Sequence, residues 1–210
     1  MSENKKRQSL GEEIANAVSH GVGAILALVG LILMILKAES KEAIVGVTLF
    51  GICALILYTM STLYHSFVPN TTTKNVFHRF DHSSIYLLIG GTYLPVYLIV
   101  VNYPLNLIFI ILQWAVIITG ISLKGATFNK FKKIHFILYI ILGWSGLMVI
   151  KPVYNFSLGA FYFILAGGLS YTIGTLFYGF KWFKYSHFVW HLFVIMGTIL
   201  HFFAVYLYLI

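Results

Sequence analysis

Charged side chains, and acidic ones above all, are scarce in this chain. Of its 210 residues, 10% are charged, whereas 60% are hydrophobic and 17% are aromatic. Because a soluble globular domain carries about 25% charged residues, this composition excludes an ordinary soluble protein and predicts an integral membrane protein. The net charge of +8 does not indicate nucleic-acid binding, since the basic residues lie in short clusters between apolar runs.

Cysteine and aspartate are each present once, as Cys53 and Asp81, and glutamate adds five more carboxylates. A single cysteine excludes an internal disulfide and a cysteine-based metal cluster. So few carboxylates disfavour a calcium or magnesium site, which takes several of them as ligands. They also disfavour a transporter that relays protons along a series of acidic side chains.

Seven long apolar runs divide the sequence. Each is about as long as the roughly 20 residues that a helix needs to cross a bilayer, and none shows the sustained period of two that is typical of a barrel strand. We therefore predict an all-α polytopic membrane protein, a bundle of seven transmembrane helices, with a cytoplasmic N-terminal segment (1–13) and a transmembrane domain (14–210). Ser9 and Glu12 in SLGE fit a capping box at the start of the first helix. The runs are 14–36, 43–67, 81–102, 104–123, 134–152, 157–180 and 186–209.

Lysine and arginine are distributed unevenly between the two ends of these runs. Eleven lie on the side of the N-terminus and three lie on the opposite side. Because short loops rich in these residues stay in the cytoplasm, we expect a cytoplasmic N-terminus and an extracytoplasmic C-terminus. The eleven are Lys5, Lys6, Arg7, Lys74, Arg79, Lys124, Lys130, Lys132, Lys133, Lys181 and Lys184, and the three are Lys37, Lys41 and Lys151.

Three runs that are distant in sequence carry polar groups at a similar depth near the cytoplasmic boundary. His65 lies about one helical turn from the end of the second run, at roughly 1.5 Å per residue. Asp81 opens the third run, and His187 and His191 lie about one and two turns into the seventh. We therefore expect these four side chains to lie in one layer of the bundle.

The spacing of these residues favours a metal site. In HFVWH, His187 and His191 are four residues apart on one helical face, a separation that lets two imidazoles share a metal ion. In STLYH, Ser61 and His65 have the same spacing. Three neutral imidazoles with an open fourth position form a catalytic zinc site. The sequence therefore predicts that His65, His187 and His191 bind Zn²⁺.

Each motif taken alone also has a simpler interpretation. An HxxxH pair in a membrane helix is typical of interhelical hydrogen bonding, and the Ser61 hydroxyl can bond the backbone carbonyl four residues earlier. Asp81 could be an interfacial acid that bonds its basic neighbours. It is the coincidence of three motifs at one depth that favours zinc. His201 lies about 15 Å deeper than His191 and is excluded from the same ion.

Four motifs together resemble a known membrane-protein family. They are ExxNxxxH in EEIANAVSH (Glu13, Asn16, His20), SxxxH in STLYH, FDHS around Asp81, and HxxxH in HFVWH. This set looks like the PAQR family and, within it, the bacterial hemolysin III branch. The match covers nearly the whole chain, from the first helix to the seventh.

The resemblance implies a multi-pass protein of a bacterial cell membrane, with seven helices, a cytoplasmic N-terminus and zinc near the cytoplasmic side. By the match, the zinc-binding histidines of the family fall on His65, His187 and His191. The serine of its second helix and the aspartate of its third fall on Ser61 and Asp81. Eukaryotic relatives resemble ceramidases, and the bacterial branch is named for hemolysis and linked to membrane-lipid homeostasis.

These observations predict a zinc-dependent hydrolase that acts on amide or ester bonds of membrane lipids. In this hypothesis Asp81 orients a water molecule or acts as general base, and Ser61 holds a water molecule or the substrate. One alternative is a sensor or receptor in which Asp81 completes a closed, structural zinc site. A second is a hemolysin-type cytolysin, which is disfavoured because a secreted toxin needs a soluble form and the chain is apolar from Ile14 onwards.

Overall fold

The structure is a computed structural model, and it confirms the all-α prediction. It describes residues 8–127, 130–180 and 182–210, without the side chain of Lys132, and these residues contain no β-strand. The helices are α1 (Leu10–Lys37), α2 (Lys41–Ser66), α3 (Thr72–Ile99), α4 (Leu105–Ala126), α5 (Lys132–Trp144), α6 (Ile150–Phe156), α7 (Leu158–Phe180) and α8 (Ser186–Tyr208), with a 3₁₀ turn, Ser145–Val149, between α5 and α6.

The first helix begins inside the predicted N-terminal segment. The Ser9 hydroxyl accepts a hydrogen bond from Glu12 N at 3.4 Å, and the Glu12 carboxylate accepts one from Ser9 N at 2.8 Å. This pair is the predicted capping box, which satisfies two backbone donors at the helix start. Residues 1–7 of the predicted segment lie outside the described residues, as does Lys181.

Six segments of the described chain are long and apolar enough to cross a membrane, by length and composition. They are α1, α2, α4, Lys133–Phe156, α7 and α8. One predicted crossing remains, the third along the chain, which corresponds to α3. This helix is 28 residues long but is not among the six. It packs against α2, α4, α5 and α8, and polar residues are tolerated where they face a bundle interior. The structure thus shows a multi-pass protein with six apolar helices, and the seventh crossing stays a prediction.

The third helix starts earlier than its apolar run. The prediction that it begins at Asp81 is wrong, because α3 begins at Thr72, where the Thr71 hydroxyl accepts from Lys74 N at 3.2 Å. Asp81 therefore lies about 14 Å along the helix from its first residue. Hydropathy marks where a helix becomes apolar, whereas the cap marks where it begins.

The segment predicted as one run at 134–152 is interrupted by the 3₁₀ turn. Such a turn breaks the regular α-helical hydrogen-bond ladder, and the freed backbone groups need other partners. The Tyr93 hydroxyl on α3 accepts from Gly146 N at 3.0 Å and donates to the carbonyl of Gly143, so it satisfies two of these groups. Gln113 on α4 donates to the Ser145 hydroxyl at 3.0 Å and holds the turn against α4.

The two ends of the chain meet in the bundle. α1 packs against both α2 and α8, and α7 packs along α8. Ser170 and Gly174, a predicted pair of small residues, lie at the α7–α8 contact, where the Ser170 hydroxyl donates to Phe193 O at 2.9 Å. A Cβ on Gly174 would lie 2.7 Å from the Phe193 Cβ. Because α1 packs against both α2 and α8, the end of α2 lies close to the start of α8, where the rings of His65 and His187 meet.

Candidate metal centre

Three histidines from two helices lie side by side where α2 ends and α8 begins. His65 is in the last turn of α2, and His187 and His191 are in the first two turns of α8. The ring centroids lie 5.2 Å apart for His65 and His187, 5.1 Å for His65 and His191, and 4.7 Å for His187 and His191. One ligand atom from each lies within 4.8 Å of the others. The structure thus brings these three predicted residues together, and they could hold a metal ion.

The Nε2 atom of each imidazole is buried and has no hydrogen-bond partner among the described residues. Two of the Nδ1 atoms are engaged, in His65 with Glu13 Oε2 at 2.7 Å and in His191 with Ser19 Oγ at 3.2 Å. A buried polar atom without a partner costs about 1–3 kcal/mol, and one shared ion would satisfy all three. Imidazole nitrogens are ligands that suit zinc. The residues present therefore fit the predicted ion.

The N-terminus of α8 is held by α1. The residue before the helix, Tyr185, has a left-handed backbone with φ of 69°, which is uncommon outside glycine. Its amide donates to Glu12 Oε1 at 3.1 Å. Glu12 thus serves two helices, since it also completes the capping box of α1. This contact fixes where α8 begins and hence where His187 and His191 lie.

Ser61 and Asp81 are both buried beside the histidines. The Ser61 hydroxyl has no hydrogen-bond partner within the described part of the chain. Asp81 is 7% exposed, and one carboxylate oxygen lies 3.4 Å from Nδ1 of His82. The carboxylate also lies near His65 and the Ser61 hydroxyl, without a hydrogen bond of normal geometry to either. It does not belong to the group of mutually close ligand atoms, so Asp81 stands next to the three histidines and not among them.

Arg79 and His78, which precede Asp81 in α3, make contacts with other groups. Arg79 is exposed, and its guanidinium donates to Gly125 O at 3.1 Å. The His78 ring stacks on Tyr64 with a centroid distance of 4.6 Å. Asp81 is therefore part of the bundle interior and not of its surface.

Glu13 and Lys74 are functional candidates whose place the sequence did not predict. Glu13 appears in the ExxNxxxH motif, but the motif gave it no partner, and Lys74 counted only as a loop charge. Lys74 is 8% exposed, and its Nζ lies 3.0 Å from Glu13 Oε1. The same ammonium donates to the carbonyls of Tyr64 and Phe67 at 3.0 and 3.1 Å. No local pattern signals a contact of this kind, because its partners come from three helices.

His20 lies directly against the histidine cluster. Its ring stacks on His191 with a centroid distance of 3.5 Å and an interplanar angle of 7°. It is 1% exposed, and neither ring nitrogen has a hydrogen-bond partner among the described residues. The ExxNxxxH motif is the signal that points to this residue.

A cavity of about 130 Å³ lies between α3, α5, α7 and α8, and His65, His187 and His191 are not among the residues that line it. His20 and Asp81 line it, and most of its remaining wall is apolar or aromatic, including Leu57, Ile85 and Trp190. The cavity thus joins a polar end beside the histidines to an apolar interior.

Two further histidines have a partner for Nδ1 elsewhere in the bundle, although the Nε2 atom of His135 is buried without one among the described residues. His135 Nδ1 lies 2.8 Å from the Tyr86 hydroxyl. His201 Nδ1 lies 2.8 Å from Gly197 O, one turn earlier in α8. Neither belongs to the group of mutually close ligand atoms, in agreement with the predicted exclusion of His201.

Known proteins resemble this chain along nearly its whole length. A family model described as haemolysin-III related matches residues 8–202. Hemolysin-3 of Bacillus cereus is 39% identical over 207 residues, which cover 97% of this chain and 94% of that protein. The hemolysin-3 homolog of Bacillus subtilis (strain 168) is 36% identical over 204 residues, covering 95% of each chain. The human monocyte to macrophage differentiation factor is 25% identical over 203 residues, or 94% of this chain and 84% of that protein. These matches confirm the resemblance drawn from the motifs, and the chain belongs to the haemolysin-III-related branch of the PAQR family.

Proposed function

We propose that this protein is a zinc-dependent hydrolase that cleaves an amide or ester bond of a membrane lipid. The observation that carries the proposal is the set of three buried Nε2 atoms, each without a hydrogen-bond partner in the described chain, on histidines that lie together. His65, His187 and His191 would hold the ion. Zinc bound by three imidazoles leaves a coordination position open and makes a water molecule nucleophilic at neutral pH.

Asp81 is the proposed general base. It lies near His65 and lines the cavity, so a water molecule or a substrate carbonyl in the cavity would come close to its carboxylate. A positioned carboxylate can take a proton from the attacking water and return it to the leaving group. The Ser61 hydroxyl, buried and without a described partner, would hold that water or the substrate by a hydrogen bond.

The proposed substrate class follows from the cavity. Its apolar wall suits a hydrocarbon chain, and its polar end suits the carbonyl to which that chain is attached. Amides and esters of fatty acids have this form. A lipid hydrolase of this kind would act in membrane-lipid homeostasis, with membrane lipids as its partners and no nucleic acid.

We also propose seven crossings, with α3 as the seventh, a cytoplasmic N-terminus and an extracytoplasmic C-terminus in a bacterial cell membrane. The excess of Lys and Arg in the loops on the N-terminal side supports this orientation. It puts the histidine cluster near the cytoplasmic face.

The test combines metal analysis with a lipid screen. The purified protein is expected to contain one zinc per chain and to release fatty acid from at least one lipid amide or ester, and chelation should abolish the release. Bound zinc without turnover of any lipid would favour the structural-zinc alternative. Release of dye from vesicles that contain no hydrolysable lipid would instead favour a cytolysin, the activity that the name of the Bacillus relatives suggests.

A further inference from the structure

We propose that Glu13 is a positioning residue for the metal centre, because its carboxylate, held by Lys74, fixes His65 with a proton on Nδ1 and with Nε2 free to bind the ion. The inference rests on the proposed function, since it takes His65 to be a ligand. It adds a residue from α1 to a site whose three histidines come from α2 and α8.

The contact between Glu13 and His65 decides which imidazole nitrogen carries the proton. Glu13 Oε2 lies 2.7 Å from His65 Nδ1. An ionised carboxylate can only accept a hydrogen bond, so Nδ1 must be the donor. The lone pair of the neutral ring is then on Nε2, the atom that is buried without a described partner. A carboxylate behind a histidine ligand in this way fixes the ring orientation and raises its basicity.

Lys74 holds the carboxylate in this position. Its Nζ lies 3.0 Å from Glu13 Oε1, so each carboxylate oxygen has its own partner. The ammonium also donates to the carbonyls of Tyr64 and Phe67 in the last turn of α2 and the residue that follows it. Lys74, on α3, therefore ties the same end of α2 that carries His65. An ion pair anchored at both partners keeps its geometry better than an exposed one.

Glu42 provides an internal comparison. It has the same charge as Glu13, but it is exposed in the first turn of α2, at the opposite end of that helix from His65. Removal of a carboxylate that supports a histidine ligand typically weakens metal binding by about 10–100-fold. The two glutamates should therefore differ in their effect on zinc.

The experiment measures zinc affinity by competition with a chelator for the full-length protein in detergent. We expect Glu13→Gln to weaken zinc binding by about 10–100-fold, whereas Glu42→Gln should bind zinc as the unmodified protein does. Substitution with Co²⁺ gives a second signal, because its visible absorption reports ligand geometry. The Co²⁺ spectrum should change in Glu13→Gln and stay the same in Glu42→Gln.

The outcomes separate this inference from the proposed function. If the unmodified protein binds no zinc, both fail. If it binds zinc and Glu13→Gln binds it equally well, the positioning role is wrong while the metal site stands, even where that variant melts at a lower temperature. Should Glu13→Gln not fold, NMR of the unmodified protein with ¹⁵N-labelled histidine decides: a proton on Nδ1 of zinc-bound His65 supports the inference, and coordination through Nδ1 overturns it.

Discussion

Helix α8 carries histidines towards both of its ends, and their hydrogen bonding differs between the two ends. His201, towards the C-terminal end, is 8% exposed and has its Nδ1 2.8 Å from a carbonyl of its own helix. His187 and His191, at the N-terminal end, each have a buried Nε2 without a described partner. His201 thus has a hydrogen-bond partner in its own helix, whereas His187 and His191 each have a ring nitrogen that is buried without a described partner. Burial alone does not identify a ligand, and neither does one unmet nitrogen, since the Nε2 atom of His135 is also buried without a described partner. What distinguishes His187 and His191 is that their unmet nitrogens lie together with that of His65.

The surroundings explain this difference. Near His201, the hydroxyl of Tyr171 lies 2.9 Å from Thr198 Oγ1, to which the Tyr58 hydroxyl donates at 2.6 Å. The Tyr171 ring stacks on His201. Polar groups at that end therefore satisfy one another. At the other end, the Ser61 hydroxyl and both nitrogens of His20 lack described partners, as the three Nε2 atoms do. Most of the unmet groups in the described chain thus lie around the proposed site, although Gln113, Trp114 and His135 carry three others.

The first prediction concerns which side of the membrane each end of α8 faces, a question with only two possible answers. Reporter fusions after Ile210 should read extracytoplasmic, and fusions in the loop at 124–133 should read cytoplasmic, because the Lys- and Arg-rich loops lie with the latter. The measurement is the ratio of a periplasm-active to a cytoplasm-active reporter. A cytoplasmic C-terminus would reverse the proposed orientation and put the histidine cluster at the opposite face.

Removal of both histidines at the N-terminal end of α8 should abolish metal binding. The His187→Ala/His191→Ala protein is expected to contain no zinc and to show no rise in melting temperature when zinc is added. The unmodified protein should gain about 2.7 kcal/mol of stability at a zinc concentration 100 times the dissociation constant. Elemental analysis and thermal melts with and without zinc measure both effects. Full zinc content in the double variant would rule out the site.

Asp81→Asn, at the same end of the bundle, should impair lipid hydrolysis without affecting zinc binding. The substitution keeps the size of the side chain but removes the base, so lipid hydrolysis should fall by roughly 10²–10⁴-fold while zinc content stays unchanged. Glu42→Gln is the control, since Glu42 is an exposed acid in the first turn of α2. Loss of zinc in Asp81→Asn would favour Asp81 as a ligand of a structural site. Normal zinc with normal turnover would remove Asp81 from the mechanism.

The sequence predicted those parts of the site that depend on local periodicity. The i, i+4 spacing places His187 with His191, and Ser61 with His65, on one helical face whatever the tertiary structure. The capping box of α1 was predictable for the same reason. The contact of His65 with Glu13 joins residues 52 apart in the chain, and Lys74 reaches both from α3, so these depend on how three helices pack. The position of Asp81 within α3 was missed because a capped polar extension precedes the apolar run.

The smallest effect should come from the histidine at the other end of α8. His201→Ala removes a ring that stacks on Tyr171. The same ring packs so closely on Gly167 that a side chain at that position would collide with it. The loss of these contacts should lower the free energy of unfolding by about 1–3 kcal/mol. His191→Ala is the matched variant, with the same change on the same helix. Titration of both with zinc should raise the melting temperature of His201→Ala by as much as that of the unmodified protein and leave that of His191→Ala almost unmoved. Equal loss of the zinc response in the two variants would mean that the unmet Nε2 atoms do not distinguish a ligand from a packing histidine.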